Sequence, residues 1–321
     1  MIVGTGAVAT FLGEKLSANL DSLQFFGSPS ERLTSLSKRF GGSGVSCPDG
    51  VEKHDLWIVA LKTWQNREKA ELLRKAPKPQ AILVIENGLH PEDDWRVFPG
   101  VKLERGLATF GVKRTGPGMV VGGEKGELVL EFDSRFREIL SSSSLVVRIA
   151  RDMRRELWHK LSVNASLNVL AALGGLKNGE ILRDPEACTS MRKAAEEVKD
   201  IALAEGVDWG TVSPGELVER VARNTADNIC STLSDLRSGR PTEYSSINGE
   251  LLKLAFNTDT KVSELRRLDK AFRALLLPSI AIGVKAKRAS SPLPQVRVAL
   301  SCLNTGLSEW KLSNSIAEDS C

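Results

Sequence analysis

The chain opens with Met1-Ile2-Val3-Gly4-Thr5-Gly6-Ala7-Val8-Ala9, and this stretch decides the fold of the first half. Three apolar residues predict a strand, a Gly-Thr-Gly turn follows, and apolar residues at helical spacing predict a helix over 8–20. In such a unit the first glycine permits the tight turn and the second lets a pyrophosphate approach the backbone. A small third residue allows close packing of helix and strand. The pattern predicts a dinucleotide site at the helix N-terminus, with a structural glycine turn as the alternative; its residues would be Gly4, Thr5, Gly6, Ala7, Val8 and Ala9.

Predicted strands and helices alternate after this turn. Apolar runs and cap signals predict a strand over 23–27, a helix over 31–40 capped by Ser30, a strand over 56–61, a helix over 64–75 and a strand over 81–85. This order predicts an N-terminal Rossmann-like, doubly wound α/β domain over residues 1–150. Between about 101 and 147, short β segments alternate with glycine turns. We expect them to add antiparallel edge strands to that sheet.

The second half is predicted to be entirely helical. Apolar periodicity indicates helices over 152–173, 185–205, 214–224, 244–256 and 262–277. The sequence therefore predicts an α/β domain followed by an all-α substrate and catalytic domain over 151–284. Residues 285–321 turn basic and proline-bearing, and we interpret them as an irregular tail.

Composition limits the classes of partner and compartment. The 321 residues include 41% hydrophobic and 26% charged residues, and the net charge is only +4, without a long basic block. This balance favours small anionic ligands over nucleic acid. Three scattered histidines predict no metal site, five scattered cysteines indicate a reducing compartment, and no apolar run reaches the length of a membrane span. We expect a cytoplasmic protein, monomeric or homodimeric; the short first strand leaves an organellar location open if a presequence was removed.

The end of the second predicted strand indicates which dinucleotide binds. Sites that prefer NAD usually carry an acidic residue there, whereas this chain has Gly27-Ser28-Pro29-Ser30. The hydroxyls of Ser28 and Ser30, with Arg32 nearby and Lys62 after the third apolar strand, suit a 2′-phosphate. We therefore expect NADP(H) rather than NAD. A solvated helix face is the alternative for Arg32.

A row of polar side chains marks the first helix of the second domain. Lys160, Asn164 and Asn168 recur every four residues and so share one face, which is costly to bury without a purpose. An exposed polar stripe is the alternative. Asparagine is a poor residue for a helix interior, which favours the functional interpretation.

Five stretches of the chain resemble the ketopantoate reductase (2-dehydropantoate 2-reductase) family. Lys160-Leu161-Ser162-Val163-Asn164, continued to Asn168, is similar to the Lys-Leu-x-x-Asn-x-x-x-Asn stretch of that family. Two further matches, over 228–236 and 240–249, follow it in the family's order. In the first half, 61–65 and 86–88 are similar to the family's cofactor and substrate loops. The resemblance covers roughly residues 1–257. It departs from the family after residue 256, where an expected Pro-Asn pair is missing, and at Ser28, where many relatives carry arginine.

The resemblance implies hydride transfer from NADPH to the keto carbon of 2-dehydropantoate, giving pantoate for pantothenate and coenzyme A biosynthesis. Lys160 would be the general acid, and Glu243 would accept from the substrate hydroxyl and help to orient Lys160. The substrate would be held by Asn87, Asn164, Asn168 and Ser231, and Asn87 would also contact the cofactor. Pairing with Arg240 is the alternative role for Glu243. Two alternative functions stay open: a related NADP-dependent reductase of another small branched 2-oxo acid, or a non-catalytic NADP-binding sensor or scaffold.

Overall fold

The computed structural model describes residues 1–281. The chain divides into two compact units, Met1–Leu157 and a second unit that begins at Trp158. The domain boundary predicted after residue 150 stays a proposal, and the predicted tail over 285–321 lies outside the described residues.

A six-stranded parallel sheet forms the centre of the first unit. Its strands, in chain order, are β1 (Ile2–Val3), β2 (Gln24–Phe26), β3 (Ser43–Val45), β4 (Leu56–Val59), β5 (Ala81–Val84) and β6 (Lys102–Arg105). They are arranged in the order β3-β2-β1-β4-β5-β6, with Ile2 aligned between Phe25 and Ile58. This order reverses direction at β1, and ligands of such sheets bind beyond the carboxyl ends of the strands at that point. The predicted Rossmann-like class is confirmed.

Helices cover the sheet because its central strands are apolar on both faces. The helices are α1 (Ala7–Leu16), α2 (Glu31–Phe40) and α3 (Asn66–Leu73). One core cluster joins α1 to alternate strand residues such as Ile2 and Phe25, and a second on the opposite face includes Val3, Trp57 and Leu73. Alternation of side chains across each strand places neighbouring residues in different cores.

The predicted antiparallel edge of the main sheet is wrong. The chain crosses back through a 3₁₀ segment, Asp93–Val97, so β6 joins β5 in the parallel sense. The later strands form two small separate sheets instead: β10 (Leu128–Leu130) between β7 (Leu107–Ala108) and β11 (Val147–Ile149), and the hairpin of β8 (Val112–Gly116) and β9 (Met119–Gly122). A short helix, α4 (Arg137–Ser141), precedes β11. The sequence pattern predicted short strands in this region correctly, but it could not identify the strands with which they pair.

The described part of the second unit is helical, as predicted. The helix α5 (Met153–Val163) begins before the boundary and ends in the second unit. The helices that follow are α6 (Val169–Gly174), α7 (Pro185–Ala204), α8 (Pro214–Asn224), α9 (Ser231–Arg237), α10 (Glu250–Asn257) and α11 (Ser263–Ala281). The long helix predicted over 152–173 is one helical run, but a π-helical turn at Asn164–Asn168 separates α5 from α6. A second π turn, Ser245–Gly249, precedes α10. The sequence did not predict either π turn or α9.

Candidate active site

The glycine turn between β1 and α1 has the backbone of a dinucleotide site. Gly4 has φ +131°, and a Cβ there would lie 2.5 Å from the carbonyl oxygen of Ala60, so only glycine fits. Gly6 is the N-cap of α1, no side chain caps this helix, and a Cβ at Gly6 would meet no atom within 4 Å. The N-terminus of α1 therefore has no side-chain cap, and the first N–H groups of such a helix are donors that an anion can satisfy. Ala9 is fully buried against the sheet, as the close packing of helix and strand requires.

The other residues predicted for this turn are Thr5, which precedes the N-cap, and the first two residues of α1. Thr5, Ala7 and Val8 are half-buried. A Cβ at Gly27 would lie 2.6 Å from Cγ2 of Thr5, so the turn after β2 packs directly on the glycine turn. The structure thus brings the predicted pyrophosphate site and the end of β2 together.

The turn after β2 carries Ser28, Ser30 and Arg32. The Ser30 hydroxyl accepts from the N–H of Leu33 at 3.3 Å, which confirms the predicted cap of α2, and donates to the carbonyl oxygen of Ser28 at 3.1 Å. Arg32 is exposed and lines an open cleft of about 450 Å³ together with Arg114 of the β8–β9 hairpin. Ser28 is exposed, with its hydroxyl at the carboxyl end of β2.

Lys69 is a residue of this region that the sequence did not reveal. It lies on α3, and its Nζ donates to Oγ of Ser28 at 3.3 Å and to Oε1 of Glu68 at 2.9 Å. The Lys69 side chain is only 9% exposed, whereas that of Glu68 is 75% exposed. This ammonium lowers the pKa of the Glu68 carboxyl through their hydrogen bond.

Lys62 and Asn87 follow the neighbouring strands β4 and β5. The Nζ of Lys62 lies 5.8 Å from the ring centroid of Trp64, and its backbone N–H donates to Oε1 of Gln65 at 3.2 Å. Asn87 is half-buried and precedes Gly88, which has φ +100°. Both residues lie at the edge of the sheet where such folds bind ligands.

A buried polar network fixes these two loops. The Glu86 carboxylate accepts from the N–H of Leu61 at 3.2 Å and from Nδ2 of Asn66 at 2.7 Å. Arg105, at the end of β6, donates to the carbonyl oxygens of Glu86 at 3.0 Å and Gly88 at 2.9 Å, and pairs with Glu92. These bonds hold the backbone on both sides of Asn87. The family resemblance includes Glu86-Asn87-Gly88, but Arg105, which positions this loop, lies outside the matching stretches.

In the second unit, Lys160, Asn164 and Asn168 lie along one helical run. All three are half-buried, whereas Leu161 and Leu167 are buried. Nδ2 of Asn168 donates to Oδ1 of Asn164 at 3.0 Å, so the two amides form one hydrogen-bonded group. They are the first and last residues of the π turn. Such turns are rare and frequently occur at functional sites.

A buried amide joins the two π turns. Nδ2 of Asn248 donates to the carbonyl oxygen of Ala165 at 3.0 Å, and Asn248 is 2% exposed. Glu243 lies just before the second π turn and is 7% exposed. The guanidinium of Arg240, the partner considered for Glu243, donates to Oδ1 of Asp235 at 3.0 Å. The lysine and glutamate signatures are therefore parts of one packed region of the second unit.

Ser231 begins α9 and is exposed. The preceding Cys230 caps this helix by accepting from the N–H of Leu233, and its thiol contacts the carbonyl oxygen of Asn168 at 3.4 Å. Burial raises the pKa of Cys230 to about 11, so this thiol stays protonated at neutral pH and is a poor nucleophile. Cys230 therefore links α9 to the asparagine row.

Within residues 1–281, no helix is long and apolar enough to span a membrane. The same range contains no group of three or more His, Cys, Asp or Glu side chains that could hold a metal ion.

Comparison with known protein families adds an independent observation. Residues 1–133 match the family model described as ketopantoate reductase PanE/ApbA, and residues 152–275 match that of its C-terminal domain. The 2-dehydropantoate 2-reductase of Salmonella typhi is 31% identical over 229 residues, which cover 69% of this chain and 74% of that protein. The enzyme of the same name from Archaeoglobus fulgidus is 28% identical, over 78% of this chain and 89% of its own length.

Solved structures show the same fold. A PanE/ApbA family ketopantoate reductase from Ralstonia eutropha JMP134 superposes with a TM-score of 0.76 at 24% identity, covering 85% of this chain and 97% of that one. A D-mandelate dehydrogenase bound to NADH and anilino(oxo)acetate superposes with a TM-score of 0.72 at 18% identity, covering 95% of this chain and all of that one.

Proposed function

The chain belongs to the ketopantoate reductase family, and on that premise we propose that it catalyses the NADPH-dependent reduction of 2-dehydropantoate to pantoate. Relatives in this family are oxidoreductases that act on a keto group, and the chain is an enzyme of that class. One observation carries the finer proposal. A glycine turn suited to a pyrophosphate occurs in the same chain as an amine and amide row on a π-bulged helix.

The first unit fits the cofactor. Its uncapped α1 N-terminus and the open space at Gly6 suit a pyrophosphate, which would be held by residues 4–9. The end of β2 carries hydroxyl and cationic groups in place of a carboxylate, which favours NADP(H) over NAD(H). Lys62 and Asn87 would contact the cofactor from the ends of β4 and β5. When bound, the reduced cofactor would supply the hydride.

Lys160 would supply the proton. As hydride reaches the keto carbon, negative charge develops on the carbonyl oxygen, and an ammonium group stabilises that charge before donating a proton to it. The product is an alcohol, and the neutral amine regains its proton from water. An acid of this type contributes about 10²–10⁴-fold to the rate.

The remaining polar groups would position the substrate. The amides of Asn164 and Asn168 and the hydroxyl of Ser231 would bind the carboxylate and keto oxygens. Glu243, an acceptor when ionised, suits the hydroxyl group of 2-dehydropantoate. Glu243→Ala should therefore chiefly weaken substrate binding, whereas a purely structural role would lower thermal stability with normal kinetics.

The direct test is NADPH oxidation by the purified full chain with 2-dehydropantoate. We expect turnover, a lower KM for NADPH than for NADH, and much weaker activity on the analogue that lacks only the hydroxyl group. Turnover only with other branched 2-oxo acids would replace this substrate with that of a related reductase. NADPH binding without turnover of any 2-oxo acid would favour a sensor or scaffold.

A further inference from the structure

The turn after β2 is where this fold distinguishes the two nicotinamide dinucleotides. The residue at the end of the second strand reads the 2′ position of the adenosine ribose. Here β2 ends at Phe26, and Gly27 packs on Thr5 of the glycine turn, so Ser28 stands at that position. A serine hydroxyl alone provides neither the carboxylate of an NAD site nor the arginine that accommodates a 2′-phosphate.

A positive charge reaches this position from another element. Lys69 projects from α3, after β4, and its Nζ lies 3.3 Å from Oγ of Ser28. The side chain is 91% buried, because the exposed fraction is 9%, and its neighbours Ala70 and Leu73 belong to the core on this face of the sheet. Lysine is almost never buried to this extent without a partner, since removing an ammonium from water is costly.

The present partners of Lys69 compensate that cost only in part. Ser28 is neutral, and Glu68 is its neighbour in sequence, with a carboxylate largely in water. Adjacent residues on a helix do not face each other, so Glu68 must bend back to reach the ammonium. A phosphate dianion beside Ser28 would be a stronger partner for both the ammonium and the hydroxyl.

We propose that Lys69 is the residue that selects NADPH over NADH, by pairing its ammonium with the 2′-phosphate beside Ser28. The inference rests on the proposed function, because it presupposes a nicotinamide dinucleotide on the glycine turn. NADH offers nothing to replace Glu68, so Lys69 contributes little to its affinity. Arg32 follows Ser28 closely in the chain but is exposed, so water and salt screen its charge more strongly than that of the buried Lys69.

The test isolates the adenosine end of the cofactor. Adenosine 2′,5′-bisphosphate and AMP differ only in the 2′-phosphate, and calorimetric titration of the full chain measures both without turnover. We expect wild type to prefer the bisphosphate, and Lys69→Met to lose about 10- to 100-fold in affinity for it, as for a lost charge-assisted hydrogen bond. Binding of AMP should be unchanged. NADPH and NADH should show the same contrast.

Matched variants separate this role from a general effect of charge. Lys75→Met removes an equal charge from an exposed site just beyond α3 and should keep the preference. Arg32→Met removes the other cation predicted to suit the 2′-phosphate, and it should reduce the preference less than Lys69→Met does. Glu68→Gln removes the competing carboxylate and should tighten the bisphosphate without affecting AMP. The same change in the Lys69→Met background should give no such gain, which separates release of the ammonium from the loss of a negative charge. If Lys69→Met folds poorly, the Glu68→Gln comparison and Lys69→Gln test the same pairing.

Two outcomes would overturn the inference. One is equal binding of bisphosphate and AMP by wild type; the other is a preference that survives loss of Lys69 and disappears in Arg32→Met. Neither depends on 2-dehydropantoate. A failure of the proposed reaction, seen as absent turnover, would therefore be distinguished from a failure of Lys69 to select the cofactor.

Discussion

Lys160 is a half-buried amine one turn before the hydrogen-bonded pair Asn164 and Asn168. If it is the general acid, Lys160→Ala should lower kcat by about 10²–10⁴-fold, the usual contribution of a positioned acid. NADPH affinity should be unchanged, because the predicted cofactor residues lie in the first unit. Steady-state kinetics and NADPH titration measure the two effects. Lys253→Ala, at an exposed site on α10, is the control, and an unchanged kcat in Lys160→Ala would exclude that lysine from the mechanism.

We expect His54 to make the first unit sensitive to acid. Burial lowers the pKa of His54 to about 4, although the neighbouring Asp55 carboxylate acts in the opposite direction. The unfolded chain therefore binds this proton below about pH 6.5, while the folded chain binds it only near pH 4. The contribution of neutral His54 to the free energy of unfolding is therefore complete above about pH 6.5, and it is lost as the pH falls from about 6.5 to about 4.

Replacement of His54 should remove that sensitivity. Urea unfolding at several pH values between 7 and about 4 should show a smaller loss of stability in His54→Leu than in wild type. His90→Leu is the control, because the His90 side chain is 59% exposed. Parallel pH profiles for wild type and His54→Leu would contradict the prediction.

Residues that act across the fold were the hardest to predict. Ser28 was predicted from its place after a strand, but its contact Lys69 lies 41 positions away, and no local pattern connects them. Arg105 likewise positions the loop around Asn87 from the end of β6. Such pairs become visible only when the order of strands is known.

At the scale of elements, cap signals gave the most accurate boundaries. The helices α2 and α8 begin and end as predicted. Ser30, the predicted cap, marks the start of α2, and in the structure Ser213 caps α8 ahead of Pro214. The strand β3 was missed because Ser43-Gly44-Val45 has neither apolar alternation nor β-branched enrichment. A π turn adds one residue to a helical turn and leaves the apolar pattern nearly intact, so Asn164–Asn168 was read as ordinary helix.

The β1–α1 turn allows a test of the predicted pyrophosphate site. Gly6 has φ −80°, which any residue adopts, and the space around its absent Cβ is open. Gly6→Ala should therefore cost no more than about 1 kcal/mol, the usual effect of a poorer N-cap. The added methyl group would stand where the pyrophosphate approaches, so the affinities for NADPH and NADH should fall together. We expect a loss of about tenfold or more, which corresponds to about 1.4 kcal/mol of binding free energy.

Fluorescence titration and thermal unfolding measure these two effects. Gly4→Ala is the contrasting variant: its Cβ would collide with the carbonyl oxygen of Ala60 at a φ that L-residues avoid, so it should lower stability as well as binding. Unchanged affinity in a stable Gly6→Ala protein would move the pyrophosphate away from the turn.

At the scale of the whole molecule, the class and order of the two units followed from alternation in the first half and helical periodicity in the second. The parallel order β3-β2-β1-β4-β5-β6 required knowledge of the crossovers, which periodicity alone does not contain. Because the predicted cofactor residues lie in residues 1–157 and the predicted acid in the second unit, each ligand should leave a different pattern of protection.

Hydrogen exchange of the full chain measures that pattern. A bound ligand reduces local opening, and at 100 times its Kd it stabilises the native state by about 2.7 kcal/mol. NADPH alone should protect the backbone of residues 4–10, 26–33 and 60–66, which carry the glycine turn, the end of β2 and the end of β4. Pantoate added to the NADP⁺ complex should then protect the π turns at Asn164–Asn168 and Ser245–Gly249. NADPH protection confined to the second unit would contradict the assignment of the cofactor to the glycine turn, and pantoate protection that misses both π turns would contradict the role of the asparagine row.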